Sequence, residues 1–283
     1  MNYRHAFHAG NHGDVLKHAV LVRLVEYLKR KDKAFRVIDT HAGRGLYDLA
    51  DEAAERSGEW RDGVARLLGA AVPAEARALL APYFDIALVG APRTYRGSPR
   101  IVRELLRPHD RLTAIDLHPD DHLALADHFY GDRQVRVLRL DGWLAMKGHL
   151  PPKERRGLIF VDPPFERPGE FERFATHLGE AHRRFSQGVY AFWYPTKDRA
   201  AVQAFYDALR ELGIDNMIAL ELTVGAALKG SGMVGSGMVI VNPPYTLGDE
   251  LDVILPALCA ALGQDDNASW CRFWLVEEGA LKR

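Results

Sequence analysis

A chain of 283 residues, 47% hydrophobic and 27% charged, has the ordinary profile of a globular protein and is long enough for one large α/β domain with an insertion. No apolar run reaches membrane-spanning length, the polar opening MNYRHAFHAGNHGD does not read as a secretory signal, and two cysteines, Cys259 and Cys271, exclude a disulfide framework and a cysteine-ligated iron–sulfur cluster. The formal net charge of -1 excludes a uniformly basic coat, so any polyanion must be held by local clusters acting over about 8–10 Å, and the expected setting is cytoplasmic and reducing.

In chain order, Val15, Leu16, Ala19, Val20, Val22, Leu24, Val25 and Leu28 recur at helical spacing, with Asn11 or Asp14 as N-cap and a basic last turn. A short apolar strand over 35–39 runs into Thr40-His41-Ala42-Gly43-Arg44-Gly45. From 46 to 91 the pattern is helical and Ala/Glu/Arg-rich, broken by Gly58, Gly63 and Pro73, which predicts a small helical insertion. The chain therefore divides into 1–46 (an N-terminal flap, a helix and the first strand), 47–93 (the insertion) and 94–283 (the rest of the main domain). Gly97-Ser98-Pro99 opens a helix over 100–106, with Pro in its first turn. Strands follow at 112–117, 135–140, 157–162 and 189–194, separated by helices near 120–130, 143–148 and 170–185. A helix at 198–212 precedes strands at 217–224 and 237–241, which flank the glycine-rich 229–236. A helix at 249–262 and a short strand at 271–276 close the sequence. This alternation predicts a doubly wound, mostly parallel sheet of seven main strands, the last antiparallel. Its ligand belongs beyond the carboxyl ends of the strands, beside the first.

Two constellations fall at those ends. Asp39-Thr-His-Ala-Gly43-Arg-Gly45 directly follows a strand, and its glycines allow a tight turn that brings backbone N–H groups near a nucleoside-like ligand. It is neither the dinucleotide fingerprint nor a phosphate loop. Asp116 ends the next strand with a carboxylate suited to both hydroxyls of a ribose, and Asp141-Gly142 places another acid where an adenine edge would lie. Either acid also suits a helix N-cap. Three polar strand ends in one run favour a cofactor pocket.

The strand over 157–161 ends in Asp162-Pro163-Pro164-Phe165, whose consecutive prolines remove two backbone donors and extend the chain. The Asp162 carboxylate and Pro163 carbonyl can then accept both hydrogens of a planar amino group. That raises electron density on nitrogen and stabilises charge that develops only in a transition state. Phe165 offers a face for base stacking, worth about 1–3 kcal/mol. An amine inside a stack is out of reach, so the target base must be unpaired or flipped out. Asn242-Pro243-Pro244-Tyr245 repeats the pattern, but it follows the antiparallel strand, which aims it away from the cofactor face; its expected role is structural.

Asp39-x-x-x-Gly43-x-Gly45 with Asp162-Pro-Pro-Phe165 resembles the class I amino-methyltransferase pattern. Tyr3-Arg-His5-x-Phe7-His8-Ala-Gly10-Asn11-His12-x-Asp14-Val-Leu-Lys17-His18 resembles the opening of the bacterial ribosomal RNA large-subunit methyltransferase J family. Asp39-Thr-His-Ala-Gly43, Tyr95-x-Gly97-Ser-Pro99, Asp141-Gly142, Asp162-Pro-Pro164 and Gly232-Met-x-Gly-Ser-Gly-Met238 continue that resemblance over essentially the whole chain. It implies a class I Rossmann-like methyltransferase fold and S-adenosylmethionine-dependent N6-methylation of one specific adenine in 23S ribosomal RNA. The implied substrate is RNA not yet assembled with proteins, and the implied enzyme is a monomer with no membrane partner. Carried over by position, Asp162 is catalytic, with Pro163 and Phe165 beside it. His18, Lys17, His41, Gly43, Ser98, Asp116, Asp141, Gly142 and Asp162 hold the cofactor, while Tyr3, Arg4 and Phe165 meet the RNA. Two positions depart from the family: Phe165 stands where a tyrosine or a similar aromatic is usual, keeping the stacking face without the hydroxyl, and Asp116 where glutamate can occur. Rival readings are a DNA adenine N6-methyltransferase, a protein glutamine N5-methyltransferase, and a catalytically inactive RNA-binding protein.

His5, His8, His12, His18 and His41 suggest a metal cluster, with His8 and His12 at the spacing of a helical ligand pair. No Glu-x-x-His or cysteine set accompanies them, and transfer from a sulfonium needs no Lewis acid, so no metal is expected. The segment is expected to fold over the cofactor pocket as a flap and to meet nucleic acid through its interleaved Tyr, Phe and Arg.

Overall fold

The computed structural model describes residues 5–87, 94–166, 168–226 and 233–280. Helix α1 (His12–Lys29) is capped by Asn11, whose side chain accepts the Asp14 N–H at 2.9 Å. Asp14 sits in the first turn instead, where a carboxylate meets the positive end of the helix dipole. Fifteen of the eighteen α1 residues are buried, because helices and sheet pack on it from almost every side. After β1 (Arg36–Asp39) come β2 (Leu46–Asp48), α2 (Glu52–Ser57), α3 (Arg66–Gly69), α4 (Ala74–Ala87) and β3 (Thr94–Arg96). β2 and β3 pair antiparallel, Tyr47 opposite Tyr95, and so tie together the two ends of the helical segment. The sequence pattern did not show this ribbon, because three-residue strands carry too little periodicity to register.

The α/β alternation then runs as expected through α5 (Ser98–Leu105), β4 (Arg111–Ile115), α6 (Pro119–His128), β5 (Val135–Leu138), α7 (Gly142–Gly148), β6 (Gly157–Val161), α8 (Glu170–Arg184), β7 (Val189–Pro195) and α9 (Arg199–Glu211). β8 (Met217–Thr223), β9 (Gly235–Val241), α10 (Leu247–Leu262) and β10 (Ser269–Val276) complete it. All strands but β2 and β3 form one sheet, ordered β10-β8-β9-β7-β6-β1-β4-β5. It has eight strands rather than seven, because β10 adds antiparallel to the edge of β8. β1 lies parallel between β4 and β6, which makes it the switch point where the order reverses. β9 runs antiparallel to both β7 and β8.

Alternation along the strands feeds two cores, one on each face of the sheet. In β1, Val37 joins the cluster of α1, α5 and α10, while Ile38 joins Trp143, Phe174, Phe192 and Phe205 on the other face. Each such side chain contributes about 1.5–3 kcal/mol on burial. The reversed β9 puts Asn242 at the far end of the sheet. There its side chain donates to the Ser186 and Gly188 carbonyls, at 2.8 and 2.7 Å, just before β7 begins. This second Pro-Pro motif stitches a turn at the end of the sheet opposite the cavity described below.

Part of the basic sequence is spent on folding. Arg107 donates to the carbonyls of Lys29, Lys31 and Lys33, which closes the turn after α1, and Arg103 pairs with Asp132.

Candidate active site

The carboxyl ends of β1, β4, β5 and β6 open into one cavity. Its wall gathers His18, Lys17, His41, Gly43, Ser98, Asp116, Asp141, Gly142 and Asp162, the nine residues expected to hold a cofactor. Of the other expected site residues, Pro163 is buried and Phe165 half-buried, and neither lines the wall. The Phe165 ring packs on Phe171 at 5.1 Å and on Phe192 and Trp193 at 6.1 Å, extending the aromatic core below the site. Tyr3 and Arg4 lie outside the described residues.

The turn after β1 is held from the neighbouring strand. The Gly43 N–H donates to Asp116 Oδ2 at 2.8 Å, and Asp116 Oδ1 accepts the His118 N–H at the same distance. Gly43 has a φ of +59°, and a Cβ there would lie 2.3 Å from the Tyr47 hydroxyl, so this position requires glycine. Asp116 thus fixes two backbone amides with lone pairs to spare for a ligand, and burial pushes its carboxyl up. Asp141 is the N-cap of α7, accepting from the Trp143 N–H at 2.8 Å, and also lines the cavity; capping and cofactor readings both describe it. At Gly142 an added Cβ would meet the Thr40 carbonyl at 2.2 Å. The close approach brings the His41 ring edge-on to Trp143, with centroids 5.5 Å apart. Burial pushes His41 down to about 4, so the imidazole is neutral near neutral pH.

Deeper in, Ser98 donates its hydroxyl to Asp39 Oδ2 at 2.6 Å. Asp39 is fully buried with its other oxygen unpartnered, and burial pushes it up to about 7, with the nearby Asp162 adding to the rise. Lys17 reaches from α1 between two carboxylates, 2.6 Å from Asp14 Oδ1 and 2.5 Å from Asp162 Oδ2. Burial opposes the ammonium, yet Asp14 and Asp162 outweigh it and hold Lys17 above its ordinary value. Asp14 also accepts from His5 at 3.1 Å and the Gly10 N–H at 2.8 Å; burial opposes its charge, but His5 and Lys17 keep it well below the usual carboxylate range. Asp162 Oδ2 is therefore occupied by an ammonium, while no described residue bonds its Oδ1 or the Pro163 carbonyl.

Reading the sequence missed Asp14 as an electrostatic partner and assigned nothing to Tyr47, Trp143, Asp121 or Arg173, all of which except Asp14 line the cavity. The i,i+3 spacing of Asp14 and Lys17 was the available signal. The histidines do not converge. His5 meets Asp14, His8 meets Glu59, His12 meets the Met233 carbonyl, His18 meets Tyr95 and His41 meets Thr40. His8 lies ahead of the helix that begins at His12, so the pair shares no helical face. No group of three metal-ligating side chains occurs among the described residues. The N-terminal segment is tied to α2 and the residues after it. Glu59 accepts from Asn11 at 2.9 Å and pairs with His8, and the Ser57 hydroxyl donates to the Phe7 carbonyl.

Comparison with known proteins gives one consistent result. The family model RsmJ, described as Ribosomal RNA large subunit methyltransferase D, RlmJ, matches residues 32–276. The chain is 40% identical over 279 residues to Ribosomal RNA large subunit methyltransferase J of Escherichia coli (strain K12), covering 98% of this chain and 100% of the relative. It is 39% identical over 280 residues to the protein of the same name from Haemophilus influenzae, with the same coverage. A crystal structure from Legionella pneumophila str. Philadelphia 1 superposes with a TM-score of 0.85 at 34% identity, covering 94% of this chain and 98% of that one.

Proposed function

The chain belongs to the ribosomal RNA large subunit methyltransferase J family, and from that premise we propose that it moves a methyl group from S-adenosylmethionine to N6 of one specific adenine in 23S ribosomal RNA. The observation that carries this reading is Asp162, which ends β6 in the same cavity as the Gly43 turn, Asp116 and Asp141. Carboxylates at the ends of β4 and β5 match the hydroxyl and amino donors of an adenosine, and Gly142 lines the same cavity. His18, His41, Gly43, Ser98, Asp116, Asp141 and Gly142 would hold the donor, with Lys17 beside it. Bound S-adenosylmethionine supplies an electrophilic methyl on a sulfonium.

The chain's own part is orientation. Lys17 occupies one Asp162 oxygen and fixes the carboxylate, leaving Oδ1 and the Pro163 carbonyl to accept the two N6 hydrogens. Gripped this way, the amine presents its lone pair in line with the methyl. As the nitrogen–carbon bond forms and the carbon–sulfur bond breaks, charge grows on nitrogen against a fixed carboxylate. The N6 proton then leaves to Asp162 or to water. The adenine must leave its stack to reach this site, which favours RNA not yet covered by ribosomal proteins. We place the enzyme in the cytoplasm as a monomer; among the described residues no helix is long and apolar enough to cross a membrane.

Transfer of a tritiated methyl group to protein-free ribosomal RNA tests the reading. Wild type is expected to label one adenine, and Asp162→Ala to lose about 10²–10³-fold in rate. Undiminished transfer by the variant, or labelling of DNA or protein in preference to RNA, would overturn it.

A further inference from the structure

Behind His18 stands a chain of hydroxyls that the chemistry above does not use. His18 Nδ1 lies 2.6 Å from the Tyr95 hydroxyl, which lies 3.3 Å from the Tyr83 hydroxyl. All three side chains are buried, at 1%, 0% and 1% exposure. Tyr95 comes from β3 and Tyr83 from α4, so the chain runs from the helical segment after β1 to the cavity wall. The other ring nitrogen, Nε2, has no partner among the described residues, and the ring lines the cavity.

Two proton arrangements compete. In the first, Tyr83 donates to Tyr95, Tyr95 donates to Nδ1, and the ring carries its hydrogen on Nε2. In the second, Nδ1–H donates to Tyr95 and Tyr95 donates to Tyr83. The Tyr83 hydrogen then finds no acceptor among the described residues, and stranding a buried donor is disfavoured by roughly 5- to 150-fold. The first arrangement wins. Burial, followed by the charges on Lys17 and His5, pushes His18 down to about 3 against the pull of Asp14, so the ring stays neutral and keeps a single hydrogen.

We propose that Tyr95 and Tyr83 are positioning residues that lock His18 as the Nε2–H tautomer, so that it donates a hydrogen bond to an acceptor oxygen of the bound methyl donor. The proposal rests on the methyltransferase reading and gives the segment after β1 a share in the cofactor site. With the opposite tautomer, a lone pair would face that oxygen and repel it.

Binding of S-adenosylhomocysteine by calorimetry, with nitrogen-15 spectra of the His18 ring, tests it. Wild type is expected to show Nε2–H. Tyr95→Phe should mix the tautomers and weaken binding about 5- to 20-fold, and Tyr83→Phe about 2- to 5-fold. His18→Gln, whose amide N–H can replace Nε2–H, should bind with an affinity indifferent to Tyr95→Phe. Nδ1–H in wild type, equal binding by Tyr95→Phe, or weaker binding with the tautomer unchanged would each overturn the relay. If wild type itself fails to bind, the methyltransferase reading falls and takes the proposed contact with it.

Discussion

Asp39 shows how much of the site's electrostatics comes from burial alone. Its folded value, pushed up to about 7, exceeds the ordinary carboxylate value, so the native state holds this proton more tightly than the unfolded chain. The associated stability is complete below the unfolded value and is lost as pH rises through the folded one. Asp39→Asn keeps an acceptor for Ser98 but has no charge to bury. Its melting temperature relative to wild type is therefore expected to climb between pH 4 and pH 7 and level off above. The gain at alkaline pH should be on the order of 1–3 kcal/mol in the ligand-free protein. A constant offset across that range would show that Asp39 ionises without penalty. Residue types were legible in the sequence, but their couplings were not. Lys17 and Asp162 are 145 positions apart, and nothing local announces that one ammonium joins two carboxylates. Phe165 makes the same point from the other side, since whether an aromatic ring faces a cavity or a core depends on neighbours such as Phe171 and Trp193.

Elements with a strong period were the readable part. The 3.6-residue rhythm of α1 and the apolar run of β6 set their type and place, and the sequence narrows the helix start to Asn11 or Asp14, of which Asn11 is the cap. Asn11→Ala removes that cap and the bond to Glu59, and is expected to cost about 1–2 kcal/mol, read as a fall in melting temperature of several degrees. Short elements were illegible for a physical reason. β2 and β3 span three residues each and exist because they pair with one another, so their signal is tertiary. The junction of β5 and α7 carries a sharper prediction. Gly142→Ala must push a methyl group into the Thr40 carbonyl and His41, and Thr40 is held by the Phe160 carbonyl of β6. Donor affinity is expected to fall at least tenfold, measured by calorimetry, while the circular dichroism of the fold is kept.

At the scale of the molecule, topology was predicted correctly around the first strand and incompletely at the far edge. Parallel crossovers follow a rule of hand and order that alternation alone reveals. The antiparallel β8, β9 and β10 obey no such rule, and the docking of β10 on β8 depended on which edge was left open. Charge behaves likewise. A net charge of -1 balances cations against anions over the sequence, and among the described residues Arg103 and Arg107 are committed to carboxylates and carbonyls, so a small number of phosphate contacts is expected. Binding to a ribosomal RNA fragment is thus expected to weaken with salt at a log–log slope of about -2 to -5. Strongly basic proteins that contact 6–10 phosphates fall more steeply, and a slope in their range would show a basic surface not apparent in the fold.

The burial of α1 also governs what can move. A rod wedged among helices and sheet cannot swing without breaking the core, so Lys17 and His18 ride on an element fixed by its packing. Any opening that admits RNA must therefore leave α1 in place. Hydrogen exchange should show this as slow amides along α1 that stay slow whether or not RNA is bound.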